Sequence, residues 1–481
     1  MRVLKNYLLN VSYQLLVIIL PIITVPYITR IFTPNQIGVN AYTLSIAQYF
    51  VLFAGLGVGI YGNRTIAYIK DDELKKIKTF WSIFFTVLMT TIISLFLYFT
   101  YVSFFVKENL HIYFIQSIYI FSVAIDISWL FMGLEEFKKI VTRNTIVKVV
   151  GMIAIFMFVK SSEDLTLYIL IMALMNLFGL ASMWIYVPRY IKGFYFNIPD
   201  IMSHLLPLIK IYIPQVAIQV YVIMDKTMIG ILANESEVAY YDMSQKIVKI
   251  VLSIVTSLGV VMIPHISNLL ANKKYKEVEK NIGSTFGYMS YLAFPMAFGL
   301  SMISKGLAYW FFGIEFAYTG YLMSFSSFII IAITWSNIIG MQLLMPMMKE
   351  REFTISVVSG AITNIIINII LISKLGAFGA IIATIIAEFT VTIVQILIVR
   401  KYINVISHIL ATWKSLISAG LMYFIVTFLT HNMSYNIMTT ILQVILGILI
   451  YLIIMWVLKS DIQQEALDKV KELGIKIIKK D

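Results

Sequence analysis

Apolar runs of about twenty residues, separated by short polar segments, recur along the whole chain. A helix of that length spans the hydrocarbon core of a bilayer. Fourteen runs can be placed, at 8–31, 40–62, 79–105, 111–133, 143–160, 165–188, 207–232, 241–268, 285–310, 320–346, 354–373, 377–399, 413–430 and 437–458. The pattern predicts an all-α polytopic membrane protein with about 14 transmembrane helices. Arg2 and Lys5 precede the first run with no small-residue cleavage site after it, so that run reads as a retained span.

Basic residues test the count. If the N-terminus is cytoplasmic and every run is a span, 28 of the 37 lysines and arginines fall in cytoplasmic segments. Four (Arg30, Lys107, Lys160, Lys374) fall outside and five lie within spans. The positive-inside rule asks for this asymmetry, loop by loop. Removing one span would invert it from that point on. Both termini are then cytoplasmic. Residues 460–481 carry Ile462, Ala466, Val470 and Leu473 at helical spacing, which predicts an amphipathic helix on the inner leaflet.

An internal repeat adds domain structure. A shift of 199 places Val39, Tyr42 and Ser45 on Val238, Tyr241 and Ser244; a shift of 202 places Leu56-Gly57-Val58 on Leu258-Gly259-Val260. Loop lengths recur in the same order. The expectation is an N-lobe at 1–200, a C-lobe of like orientation at 201–402, a helix pair at 403–459 and a tail at 460–481. Gly55 and Gly59 form a G-x-x-x-G pattern that predicts close helix packing.

Composition excludes several functions. The chain is 60% hydrophobic and 13% charged, with mean hydropathy +0.88, far from a soluble domain. No cysteine is present, which rules out disulfides, thiolate metal sites and thiol catalysis. The five histidines have no ligand-like spacing. A net charge of +12 fits lysine-rich loops and implies no nucleic-acid partner. No G-x-x-x-x-G-K-[ST] motif occurs. Asp71-Asp72 and Glu135-Glu136 have ordinary loop character, so no catalytic residue, metal or cofactor is expected and the chain does not read as an enzyme.

The candidate chemistry lies in charges within the spans. A lysine at a helix centre costs roughly 2.5–3.5 kcal/mol on insertion scales and normally faces a watery cavity or a partner. Lys226 sits beside Asp225 about a turn and a half before the end of its run, and neighbours one apart do not share a helix face. It reads as a cation for an anionic group, against the alternatives of a snorkelling lysine or a partner for Asp225. On the next run Asp242 and Lys246 stand at i,i+4, and Lys249 extends the stripe; partial wetting from the outer side is the plainer reading. Arg30 and Arg64 read as cations at span ends, each with an interfacial-anchor alternative. Asp126 and Glu388 lie mid-span and suit proton or sodium coupling, or hydrogen-bonded packing. Lys148 and Lys305 read as snorkelling.

The chain resembles the Wzx-type polysaccharide-biosynthesis and oligosaccharide flippases of the multidrug/oligosaccharidyl-lipid/polysaccharide (MOP) exporter superfamily. The resemblance rests on Tyr27-Ile28-Thr29-Arg30-Ile31-Phe32-Thr33-Pro34-Asn35-Gln36-Ile37-Gly38, on Gly55-Leu56-Gly57 followed by Asn63-Arg64, and on Asp225-Lys226-Thr227-Met228-Ile229-Gly230 leading into Tyr240-Tyr241. It implies a MATE-like V-shaped architecture of two six-helix lobes plus a C-terminal pair. It implies transport of undecaprenyl-pyrophosphate-linked oligosaccharide from the inner to the outer leaflet of a bacterial membrane, for capsule or O-antigen assembly, driven by a proton or sodium gradient. Partners implied are the lipid-linked oligosaccharide, membrane lipids, a polymerase and glycosyltransferases, around a monomer. The alternatives are a drug/cation antiporter, which would want acids dominating the cavity, and a lipid II flippase, whose arginine-rich first spans are not evident. A membrane glycosyltransferase would need catalytic carboxylates and a large loop.

Overall fold

The computed structural model describes residues 20–465. Among them eleven helices are long and apolar enough to cross a membrane. A twelfth is counted if Ile314–Ser326 and Ile329–Leu344, bent by 43°, form one span. These twelve coincide with the runs from 40–62 onward, except 207–232. That run lies in a long helix, Ile198–Leu232, outside the set of twelve. The run at 8–31 appears only as the shorter helix Leu20–Ile31; its first twelve residues, like most of the amphipathic tail, lie outside the described residues. The described chain thus carries about eleven to twelve spans where the pattern predicts fourteen, and the difference sits at these two runs.

The chain divides into two compact units, up to Ala239 and from Tyr240. In the first, α1 is Leu20–Ile31 and α2 is Pro34–Gly55. Thr33 and Gln36 form a capping box at the start of α2, with Pro34 in its first turn, where a missing N–H costs nothing. The chain then turns left-handed at Leu56 and Gly57 before α3, Val58–Ile69. This break defeats the G-x-x-x-G expectation. Gly55 and Gly59 fall on different helices, and a Cβ on Gly59 would meet nothing within 4 Å. Asp72 caps α4, Glu73–Phe105, by accepting the Lys75 N–H at 3.0 Å. That bond holds the Asp72 carboxyl below the usual carboxylate range.

Hydroxyls tie α4 to its neighbours along one stripe. Thr90 Oγ1 donates to the Ala54 carbonyl at 2.6 Å, Ser94 Oγ to Phe50 at 2.7 Å, and Tyr98 OH to Tyr113 at 2.8 Å. Such bonds serve as glue where helix association gains little from the hydrophobic effect. The next span is broken. α5, Leu110–Ile125, stops at Asp126, and α6, Ser128–Gly133, restarts after Ile127. Hydrocarbon cannot satisfy the backbone groups freed by a break, and here indoles do. Trp184 Nε1–H donates to the Ile125 carbonyl at 2.9 Å and Trp129 Nε1–H to Asp126 at 3.1 Å. The unit continues through α7, Phe137–Phe158, α8, Leu165–Ser182, and α9, Ile198–Leu232.

The second unit takes most of α10, Glu235–Ala271, then α11, Tyr275–Leu307, α12, Ala317–Ser326, and α13, Ile329–Ile339. It closes with α14, Glu350–Leu375, α15, Ala377–Val399, α16, Val405–Leu410, α17, Trp413–Thr430, and α18, Ile437–Val457. Its core gathers on α11, where Phe286, Met289, Phe294 and Ala297 pack with Ile330, Ile338, Met422 and Tyr451. The break at Ser327–Phe328 falls near the 202-residue shift from Asp126. The paired Leu-Gly steps differ. Gly57 sits at a left-handed break, whereas α10 runs on through Gly259, whose missing Cβ makes room for Gln342 and Asn337.

Candidate functional site

Asp225 is placed by the crossing of α9 over α2. Gly230 admits the Tyr42 ring where a Cβ would stand 2.2 Å from it, and Gly38 admits the Glu235 carbonyl. That approach brings Ser45 Oγ to 3.0 Å from Thr227 Oγ1. Tyr49 lies one turn further along α2. Asp225 is 3% exposed, while Lys226, on another face of α9, is half-buried. An acid and a lysine one residue apart thus stand in different surroundings.

On α10 the spacing of four gives another outcome. Lys246 Nζ lies 2.9 Å from Asp242 Oδ2, an ion pair with the acid buried and the lysine exposed. Lys249 is exposed on the same helix. Tyr241 OH lies 3.3 Å from Thr384 Oγ1 on α15. One turn further along α15 is Glu388, half-buried, and Thr392 donates both to its carbonyl and to that of Ala332. Ser45 and Ser244 share one local bond: Ser45 Oγ donates to the Tyr42 carbonyl and Ser244 Oγ to the Tyr241 carbonyl, both at 2.7 Å.

Three further candidates lie in the first unit. Arg30 is exposed and donates to the Pro26 carbonyl at 2.6 Å. Arg64 is exposed, its guanidinium 5.7 Å from the Tyr68 ring centre. Asp126 takes up the helix break. Its carboxylate accepts the Ser128 N–H at 2.9 Å and the Ser128 hydroxyl, and Arg143 donates to that hydroxyl at 2.8 Å. Among the described residues no cluster of acids and histidines could hold a metal.

Sequence reasoning missed Ser45, Tyr49 and Thr227. Their signal was present: Tyr42, Ser45 and Tyr49 form a polar stripe at i, i+3 and i+7 in an otherwise apolar run. It also missed Ser128 and Arg143, whose pairing depends on the break.

Chemically, the arrangement places Lys226 and Lys246 on long apolar helices that also carry the buried carboxylates of Asp225 and Asp242. Comparisons with known proteins place the chain in a family. The family model described as polysaccharide biosynthesis protein matches residues 3–270. A Shigella dysenteriae protein provisionally named an O-antigen transporter is 24% identical over 386 residues, covering 79% of this chain and 96% of its own. Among solved structures, the lipid II flippase MurJ in an inward closed conformation has TM-score 0.75 at 16% identity, covering 95% of this chain and 99% of that one. A multidrug resistance MATE transporter, inward-facing, has TM-score 0.60 at 13% identity, covering 77% and 90%. The fold is therefore that of MurJ and the MATE transporters, and the chain is a multi-pass membrane protein belonging to the polysaccharide biosynthesis protein family, a family of Wzx-like flippases and not of enzymes.

Proposed function

We propose that this protein moves undecaprenyl-pyrophosphate-linked oligosaccharide repeat units from the inner to the outer leaflet of a bacterial inner membrane, for O-antigen or capsule assembly. The observation that carries the reading is the near full-length match to the O-antigen transporter relative. Lys226, inside a long apolar helix and on a different face from a buried acid, supports it physically. A diphosphate cannot enter hydrocarbon with its charge unmet, and a lysine replaces part of its lost hydration. In this reading Lys226 is the principal anion contact, with Asp225 fixing its helix against α2. Lys246, Lys249 and Asp242 form a second charged stripe, and Arg30 and Arg64 attract phosphate at span ends. Glu388 and Asp126 exchange the coupling ion, proton or sodium, in an alternating-access cycle. Fourteen spans in two six-helix lobes plus a C-terminal pair, with both termini cytoplasmic, complete the proposal. A single chain would receive substrate from glycosyltransferases and deliver it to a polymerase.

The test is reconstitution in proteoliposomes with a labelled polyprenyl-diphosphate oligosaccharide. The expected result is label reaching the opposite leaflet faster with an ion gradient than without. Exchange of a cationic drug against protons, with no glycolipid movement, would replace this reading by the antiporter.

A further inference from the structure

The second unit holds a polar pocket of about 540 Å³ where the last turn of α11 meets α12, α17 and α18, closed by the loop at 431–436. Lys305 lines it with Tyr321, Tyr435, Asn436, Thr439 and Gln443. Among the described residues Lys305 has no ion pair or hydrogen bond, and the only other ionisable side chains besides tyrosines on the lining belong to His431. The walls are fixed by bonds of their own. Trp310 Nε1–H donates to Thr440 Oγ1 at 2.9 Å, Gln443 Nε2–H to Thr430 Oγ1 at 2.9 Å, and the Thr439 N–H to Asn436 Oδ1 at 2.8 Å.

The pocket adjoins an apolar one. Met302 and Gln443 line both it and a groove of about 480 Å³. Pro295, Met422, Val444 and Gly447 wall that groove, and Tyr451, whose hydroxyl donates to the Tyr291 carbonyl at 2.8 Å, closes one side. A cation among hydroxyls and amides at a span end, next to an apolar groove that shares Met302 and Gln443 with it, matches an amphiphile in polarity.

We propose that this composite cavity binds one anionic glycerophospholipid of the bilayer. Its phosphodiester would sit on Lys305, its hydroxyl-bearing head among Asn436, Thr439 and Gln443, and one acyl chain along the groove. The single lysine decides the class: one cation balances the one charge of a phosphodiester and leaves a diphosphate undercompensated. The site is separate from Lys226 and does not depend on what the protein transports.

The experiment reads lipid retention. The purified full chain is exchanged into micelles doped with phosphatidylglycerol, phosphatidylcholine or a polyprenyl diphosphate, and retained lipid is counted by native mass spectrometry. Photoactivatable phosphatidylglycerol then maps the contact. Phosphatidylglycerol is expected to be retained over phosphatidylcholine, with crosslinks at 301–306 and 435–443. Lys305→Gln, at an exposed position, should lower retention about fivefold, the effect of one basic residue at a membrane surface. Gly447→Leu should lower it by filling the groove while leaving the charge. Equal retention of phosphatidylcholine, wild-type retention by Lys305→Gln, or preferential displacement by the polyprenyl diphosphate would each overturn the proposal.

Discussion

Asp225–Lys226 and Asp242–Lys246 join the same two residue types on consecutive helices, yet they are built differently. In the second pair a spacing of four lets one helix close its own ion pair at 2.9 Å. In the first, a spacing of one sends the residues to different faces. Asp225 is buried on α9, the helix whose Thr227 meets Ser45 of α2 at 3.0 Å. The lesson is that charge content alone says little about a span. Spacing decides which face of the helix each charge takes, and a spacing of four lets the acid and the lysine meet on one face.

The comparison is broken most severely at the α2–α9 crossing. Gly230→Leu would drive a side chain into the Tyr42 ring, where even a Cβ comes within 2.2 Å. Overpacking of this kind costs about 1–3 kcal/mol. Thermal unfolding in detergent should show that loss, and an unchanged midpoint would mean the crossing is loose. The pair on α10 should respond less. A double-mutant cycle on Asp242→Asn and Lys246→Gln should give a coupling of about 0.3–1 kcal/mol, since the lysine end is exposed. Zero coupling would remove the ion pair from the account. The smallest effect concerns a carboxylate outside the spans. Asp72 is held below its ordinary range by its cap bond, so it stabilises the start of α4 at neutral pH. That contribution is lost only as pH falls through its lowered folded value. Asp72→Asn, which keeps a capping oxygen, should flatten the acid limb of the stability profile and leave neutral pH nearly unchanged.

Much of this architecture is legible from sequence because a bilayer permits so few solutions. The runs at 143–160 and 413–430, the shortest of the fourteen, appear as Phe137–Phe158 and Val405–Thr430. What stayed hidden depends on tertiary context. No proline or glycine marks the break at Asp126. Its only local sign is an aspartate two before a serine, a capping arrangement inside an apolar run, and its carbonyls are met by indoles, one of them 59 residues away. The G-x-x-x-G reading failed because the helix ends between its two glycines. Lys305 reads from sequence as a snorkelling residue, and no one-dimensional pattern shows that α12, α17 and α18 line one pocket with it.

The central claim is that Lys226 meets the diphosphate. The most direct measurement is glycolipid translocation in proteoliposomes by wild type, Lys226→Ala, Lys226→Arg and Lys246→Ala, each checked for native thermal stability. The account predicts that Lys226→Ala loses at least about tenfold in rate, roughly 1.4 kcal/mol at the transition state. Lys226→Arg should recover much of that rate, and Lys246→Ala should change it little. A folded Lys226→Ala protein that translocates at the wild-type rate would contradict it.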